Sequence, residues 1–187
     1  MTKKIFIDAG HGGADRGAVT GGIIESEINL KTALAARKFL ATYDCETILS
    51  RETDKATRIN DMAAKAKLLG AAAVVSIHHN AGGGDGCEVF YWHTDSRAKE
   101  LAREIEKQFK LLGQNSRGIK AGSTAAHNFG ICRINAGNGI PAVLGEFAFT
   151  DNKNDRRIID SDAELKAEGE AYGKALAIFL KLKLIHD

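Results

Sequence analysis

Residues Ala72–Ile77 form a valine-rich run, apolar but for Ser76, entered from Gly70 and left through the polar triplet His78-His79-Asn80. A run of this kind suits a strand that is covered on both faces. Helices must then pack on each side of a sheet, which points the chain toward an α/β layer architecture. Further strands are predicted at Lys3–Asp8, Cys45–Leu49, Cys87–Trp92, Gly130–Ile134 and Pro141–Glu146, short runs bounded by turn residues. Helices are predicted from Glu25 to about Tyr43 and over Thr57–Leu69, Ser96–Leu112 and Ala163–Leu182. In the third of these, Leu101, Ile105, Phe109 and Leu112 recur at the three- and four-residue spacing of an amphipathic helix. Gly113–Asn128 is polar and glycine-bearing, with no clear period. Strands alternate with helices for most of the length, and connections this long suit parallel crossovers. The expectation is one α/β domain over residues 1–187, with a mostly parallel sheet of about six strands and helices on both faces.

Composition narrows the class of partner. The 187 residues include 44% hydrophobic and 27% charged side chains, enough for a sizeable core. A net charge of +2 implies no strong nucleic-acid or membrane field. No basic stripe with interleaved aromatics appears, and no run approaches the roughly 18 apolar residues of a membrane span. Neither nucleic acid nor membrane is therefore an expected partner, and the chain is expected to act as a monomer. Two lysines precede only a short apolar stretch, Ile5-Phe6-Ile7, so no signal-peptide core is read and a cytoplasmic start is expected. Cys45, Cys87 and Cys132 are far apart and odd in number, which argues against structural disulfides and cysteine metal sites. Cys45 and Cys87 lie in strand-like runs and are expected to be buried, inert thiols.

In open α/β sheets, ligands bind beyond the carboxyl ends of the strands. Past the first strand come Asp8 and His11, past the valine-rich strand come His78, His79 and Asn80, and Glu146 ends the Pro141 strand. The glycine-rich loop from Gly10 to Gly22 delivers Glu25, at the start of a helix, to the same rim. Two imidazoles and a carboxylate with an open fourth position suit a catalytic zinc, and a further carboxylate can act as its base. Each residue alone has a plainer reading: Glu25, for instance, is favoured at a helix N-terminus by the dipole. Glu27 and His79 remain rivals of Glu25 and His78 on these grounds.

Four stretches occur in one order: Asp8-Ala9-Gly10-His11-Gly12-Gly13; Glu25 followed by Asn29-Leu30; Ser76-Ile77-His78-His79-Asn80-Ala81; and Pro141-Ala142-Val143-Leu144-Gly145-Glu146. With Ser50-Arg51-Glu52-Thr53-Asp54, Arg117-Gly118-Ile119-Lys120 and the Asn152…Asp155 segment, they resemble the zinc-dependent N-acetylmuramoyl-L-alanine amidases of the type 3 amidase family. The resemblance implies one zinc ion held by His11, Glu25 and His78, choosing Glu25 over Glu27 and His78 over His79. It implies Glu146 as the catalytic acid/base and peptidoglycan as the substrate. His79, Asn80, His127 and Asn128 are polar groups on or near the expected cleft rim, and are expected as substrate contacts or supports of the ligands. Met62 stands where an arginine is usual, and Gly145 where a bulky apolar residue is usual; neither touches a proposed ligand. A cell-wall binding module without catalysis would show a gap in the ligand set, and all four positions are filled. A dinucleotide site is a poor fit, because Gly10-His11-Gly12-Gly13 lacks the G-x-G-x-x-G spacing. A phage endolysin, or the catalytic domain of an autolysin or sporulation enzyme acting on the cell wall, fits the same features.

Overall fold

A computed structural model of the chain describes residues 2–125 and 127–185. In chain order the elements are β1 (Lys3–Ala9), β2 (Val19–Thr20), β3 (Ile23–Ile24), α1 (Glu25–Leu40), β4 (Cys45–Leu49), α2 (Ile59–Leu69) and β5 (Ala73–Asn80). There follow β6 (Cys87–Trp92), α3 (Ser96–Leu111), β7 (Ser116–Gly122), α4 (Gly130–Gly137), β8 (Ala142–Phe149), a 3-10 turn (Asp155–Ile158) and α5 (Asp162–Leu180). Six strands form one sheet in the order β4-β1-β5-β8-β6-β7. Every pairing is parallel except β6 against β8. The expected single α/β domain with a mostly parallel sheet is what the chain forms.

Both faces are covered. One core joins α1, α3 and α5 to Ile5, Ile7, Val75, Ile77 and Val143. A smaller one joins α2 and α4 to Phe6, Val74, Phe90 and Leu144. Neighbouring residues of β5 thus point to opposite cores, as the two-residue period of a strand requires. The longest helix, α5, starts with a reciprocal capping box between Ser161 and Glu164. It lies close against α1 because residue 169 is glycine: a Cβ there would come within 2.5 Å of the Thr32 carbonyl oxygen. No helix among the described residues is long and apolar enough to cross a membrane.

Two local expectations are corrected. Gly130–Ile134, expected as a strand, opens helix α4, which buries Ile131, Cys132 and Asn135 at one-turn spacing. The Asn135 amide donates to the Ile131 carbonyl at 2.8 Å, so a helical contact outweighs the β-branched composition. The sixth strand is instead β7, inside the segment without visible period. It is a sheet edge paired only with β6, so Arg117 and Lys120 can project from it where an interior strand would bury them. Cys87 and Cys132 are buried, while Cys45 is only half-buried. Burial pushes the Cys87 and Cys132 thiols up to about 12, which makes them poor nucleophiles.

Candidate active site

The sheet order lays a polar row across the carboxyl end of the α2/α4 face. Asp8 pairs with Ser76 across β1 and β5, and two residues further along β5 His78 pairs with Glu146 and Glu146 with Glu88, across β5, β8 and β6. His78 and Glu146 therefore stand side by side without any special loop. His11 arrives differently. Its backbone takes a left-handed φ of 62°, and the loop is tied down by Arg51, which is 1% exposed. The Arg51 guanidinium donates to the carbonyls of Ala9 (2.9 Å), Gly10 (3.1 Å) and Ser26 (2.6 Å), so one buried cation joins the loop to α1. Gly10 itself lies against the His78 ring, and a Cβ on it would meet the imidazole at 2.3 Å.

Glu25 is the first residue of α1, delivered by the β2–β3 hairpin, whose turn residues Gly21 and Gly22 both have positive φ. Its Oε2 accepts the Ala18 N–H at 2.8 Å, and its Oε1 accepts from the Asn29 side-chain amide at 3.3 Å and the His79 N–H at 3.2 Å. His11 Nε2 and His78 Nδ1 each lie 3.1 Å from that same Oε1. The three donor atoms fall within 4.8 Å of one another. Burial opposes the Glu25 charge, but hydrogen bonds from His11 and His78 hold the carboxyl well below the usual range. The Glu25 hydrogen bond, opposed by burial and helped by Asp15, lifts His11 to about 9. Two nitrogen donors and one oxygen gathered on one point form a donor set that fits zinc, which takes imidazoles in their neutral form.

Glu146 sits beside this cluster. Burial pushes its carboxyl up to about 7, opposed by His78. Its Oε2 is buried and bonded to no group among the described residues. Both residues line a cleft of about 360 Å³ whose walls include Ile59, Phe129 and Ile131. A carboxyl so placed can take and return a proton near neutrality.

The remaining expected residues divide. Asn80 is on the rim, its amide donating to Glu88 Oε2 at 3.1 Å. Asn128 lines the cleft, and its Oδ1 accepts from Arg133 Nε at 3.1 Å. His127 is exposed, with its ring parallel to Phe129 at 6.0 Å. His79 faces the opposite side of the sheet, buried against Asn29 and Glu168, so of the two roles expected for it, contact or support, only support is open. Sequence reasoning used Asn29 only as a motif marker and assigned no role to it, to Glu168 or to Glu88. Asn29 had a signal, lying one helical turn from Glu25; Glu168 had none beyond being an acid in an alanine-rich helix.

Comparison with known proteins gives a consistent picture. The family model described as N-acetylmuramoyl-L-alanine amidase matches residues 5–177. The N-acetylmuramoyl-L-alanine amidase CwlM of Bacillus licheniformis is 37% identical over 183 residues, 95% of this chain and 69% of CwlM. The endolysin of Bacillus phage SPP1 is 33% identical, over 98% of this chain and 68% of its own. Among solved structures, the catalytic domain of CwlV from Bacillus (Paenibacillus) polymyxa superposes with a TM-score of 0.87 at 29% identity, covering 97% of this chain and 99% of that one. Cwp6 from Clostridium difficile superposes at 0.91 and 30% identity, covering 96% of this chain but 30% of Cwp6.

Proposed function

The chain belongs to the N-acetylmuramoyl-L-alanine amidase family, and on that premise we propose that it hydrolyses the amide joining the lactyl group of N-acetylmuramic acid to L-alanine in peptidoglycan. His11, Glu25 and His78 hold one zinc ion, and Glu146 carries the proton. The observation behind this reading is that three donor atoms meet within 4.8 Å, beside a buried carboxyl oxygen with no partner. When bound, zinc supplies a Lewis acid that polarises the amide carbonyl and makes a water more acidic.

The protein's own groups do the rest. Asp15 Oδ2 lies 2.9 Å from His11 Nδ1, fixing the ring so that Nε2 faces the metal point. Ala18 N–H and the Asn29 amide fix the Glu25 carboxylate from the other side. Glu146 takes a proton from the attacking water and passes it to the alanine nitrogen as the C–N bond breaks. A pKa near 7 suits both halves of that task, since the group must be a base first and an acid afterwards. The apolar cleft wall limits the water around the reacting amide.

The partner is thus the bacterial cell wall, and the chain works on it as a monomer. Purified peptidoglycan is the test. Turnover should expose new alanine amino groups, with one zinc per chain. Glu146→Ala should keep the zinc and lose turnover, and His78→Ala should lose both. Release of acetate or of a different peptide amine, or full activity in Glu146→Ala, overturns the reading.

A further inference from the structure

The segment Arg117-Gly118-Ile119-Lys120 plays no part in the zinc site, yet its two cations converge on the same row of the sheet. Glu88 is the direct partner of Glu146 in the β6–β8 pairing, and directly opposed residues have Cβ atoms about 4.5–5.5 Å apart. Arg117 Nε donates to Glu88 Oε1 at 2.6 Å, and Lys120 Nζ donates to the same oxygen. The Asn80 amide occupies Oε2. Glu88 is 5% exposed, so both oxygens of this carboxylate are filled inside the protein.

One carboxylate therefore holds two cations, and the cluster keeps a net positive charge. Aromatic rings support both from beneath, Arg117 over Phe149 at 5.3 Å and Lys120 over Phe90 at 5.8 Å. Their outer ends remain open, with side chains 43% and 32% exposed. The adjoining cleft carries the acids Asp8 and Glu146 together with His11 and His78, with Glu25 behind them. The β7 end of the row thus adds a pair of partly exposed cations beyond the zinc site, where an anionic group of the substrate can be paired.

We propose that Arg117 and Lys120 form a subsite for a carboxylate of the departing peptide, two or three residues beyond the scissile amide. This deepens the amidase reading above and rests on it. From β8 to β7 is two strand spacings, about 9–10 Å, and an extended peptide covers about 3.3–3.6 Å per residue. Stem peptides offer such groups: the free α-carboxylate of an isoglutamyl second residue, and the side-chain carboxylate of a diamino-diacid third residue. Glu88 holds the inner edge of the guanidinium through Nε, which leaves its terminal N–H groups to face an incoming carboxylate.

The test measures kcat and KM on muramyl peptides that carry either a carboxylate or the matching carboxamide at residue two or residue three. The zinc-loaded protein is compared with Arg117→Gln and Lys120→Gln, which keep a donor beside Glu88. The expected result is a preference for acid over amide at one of the two positions, roughly tenfold in kcat/KM and carried by KM. Each substitution should cut that preference severalfold at unchanged zinc content, and the discriminating position identifies the carboxylate. The subsite is overturned if neither acid–amide pair is distinguished, or if the preference survives both substitutions. If no muramyl peptide is cleaved at its muramoyl–alanine bond, the amidase reading itself fails and the subsite falls with it.

Discussion

Glu168 of α5 lies 3.1 Å from the ring of His79 in β5, and both side chains are wholly enclosed. The contact is the far end of a string that leads to the metal point. The Asn29 amide donates to the Gly10 carbonyl and to Glu25, both acceptors, so its oxygen must face His79 Nδ1 at 2.8 Å. His79 then has only Nε2 left for Glu168, whose Oε2 also accepts from the Thr32 hydroxyl at 3.2 Å. Burial disfavours a charged ring, but Glu168 beside it holds His79 above its ordinary pKa. A helix at the end of the chain thereby fixes the orientation of a carboxylate at the start of α1.

Glu168→Ala should weaken zinc binding about 10- to 100-fold, the usual cost of losing a group that orients a metal ligand. Competition against a chelator measures this directly. Asn29→Ala should give a comparable loss, and the double variant should be little worse than either, because both cut the same string. Leu176→Ala, elsewhere in α5, should lower the thermal midpoint without changing zinc affinity. Additive losses from Asn29 and Glu168 would show that they act separately.

Zinc binding should release protons at pH 7. His11 is raised to about 9 by Glu25, so in the metal-free protein it is protonated at neutrality and must lose that proton to bind. Affinity should climb by about tenfold per pH unit toward pH 9 and then flatten. Calorimetry in buffers of different ionisation enthalpy counts the protons; a pH-independent affinity between 6 and 9 would contradict the His11 assignment.

Glu146→Gln should stabilise the metal-free protein increasingly as pH rises. The folded carboxyl has its pKa raised from 4.5 to about 7, so the folded state holds this proton more tightly than the unfolded chain does. The associated stability is fully present below about pH 4.5 and is lost as pH rises through 7. Glutamine does not titrate, so the variant should gain on the wild type across that window, by about 3 kcal/mol. Denaturant unfolding in chelator at pH 4.5 and pH 8 gives the difference.

Gly10→Ala should leave the sheet intact and displace His78, since the added methyl would overlap the imidazole at 2.3 Å. Amidase turnover should fall on the order of 10²-fold, as expected for a misplacement of about 1 Å in a catalytic constellation. Circular dichroism checks the fold, and zinc content separates a lost ligand from a lost cleft.

Much of this protein was settled by local pattern. The apolar run into His78, the helical period after Glu25 and the Pro141 strand into Glu146 place three of the four central residues on one sheet edge. They do so because strand direction and the two-residue side-chain period follow from local chain chemistry. The two-residue period puts residue 78 on a face with Ser76 and residue 79 on one with Ile77, but which of those faces carries the cleft is decided only by packing. What local pattern cannot carry is any relation made only by closure of the fold. β7 reads as loop in the sequence because an edge strand needs no apolar run. Gly130–Ile134 reads as strand because the partners that Ile131 packs against, on α2 and the sheet face beneath it, are distant in the sequence. Nothing local in the sequence marks Arg51, Glu88 or Glu168 as buried, yet each is, and each is tolerated because distant segments supply its hydrogen-bond partners. Local sequence sets which groups can act; only tertiary packing decides which charges are taken out of water, and that is where the pKa values and the orientation of the site arise.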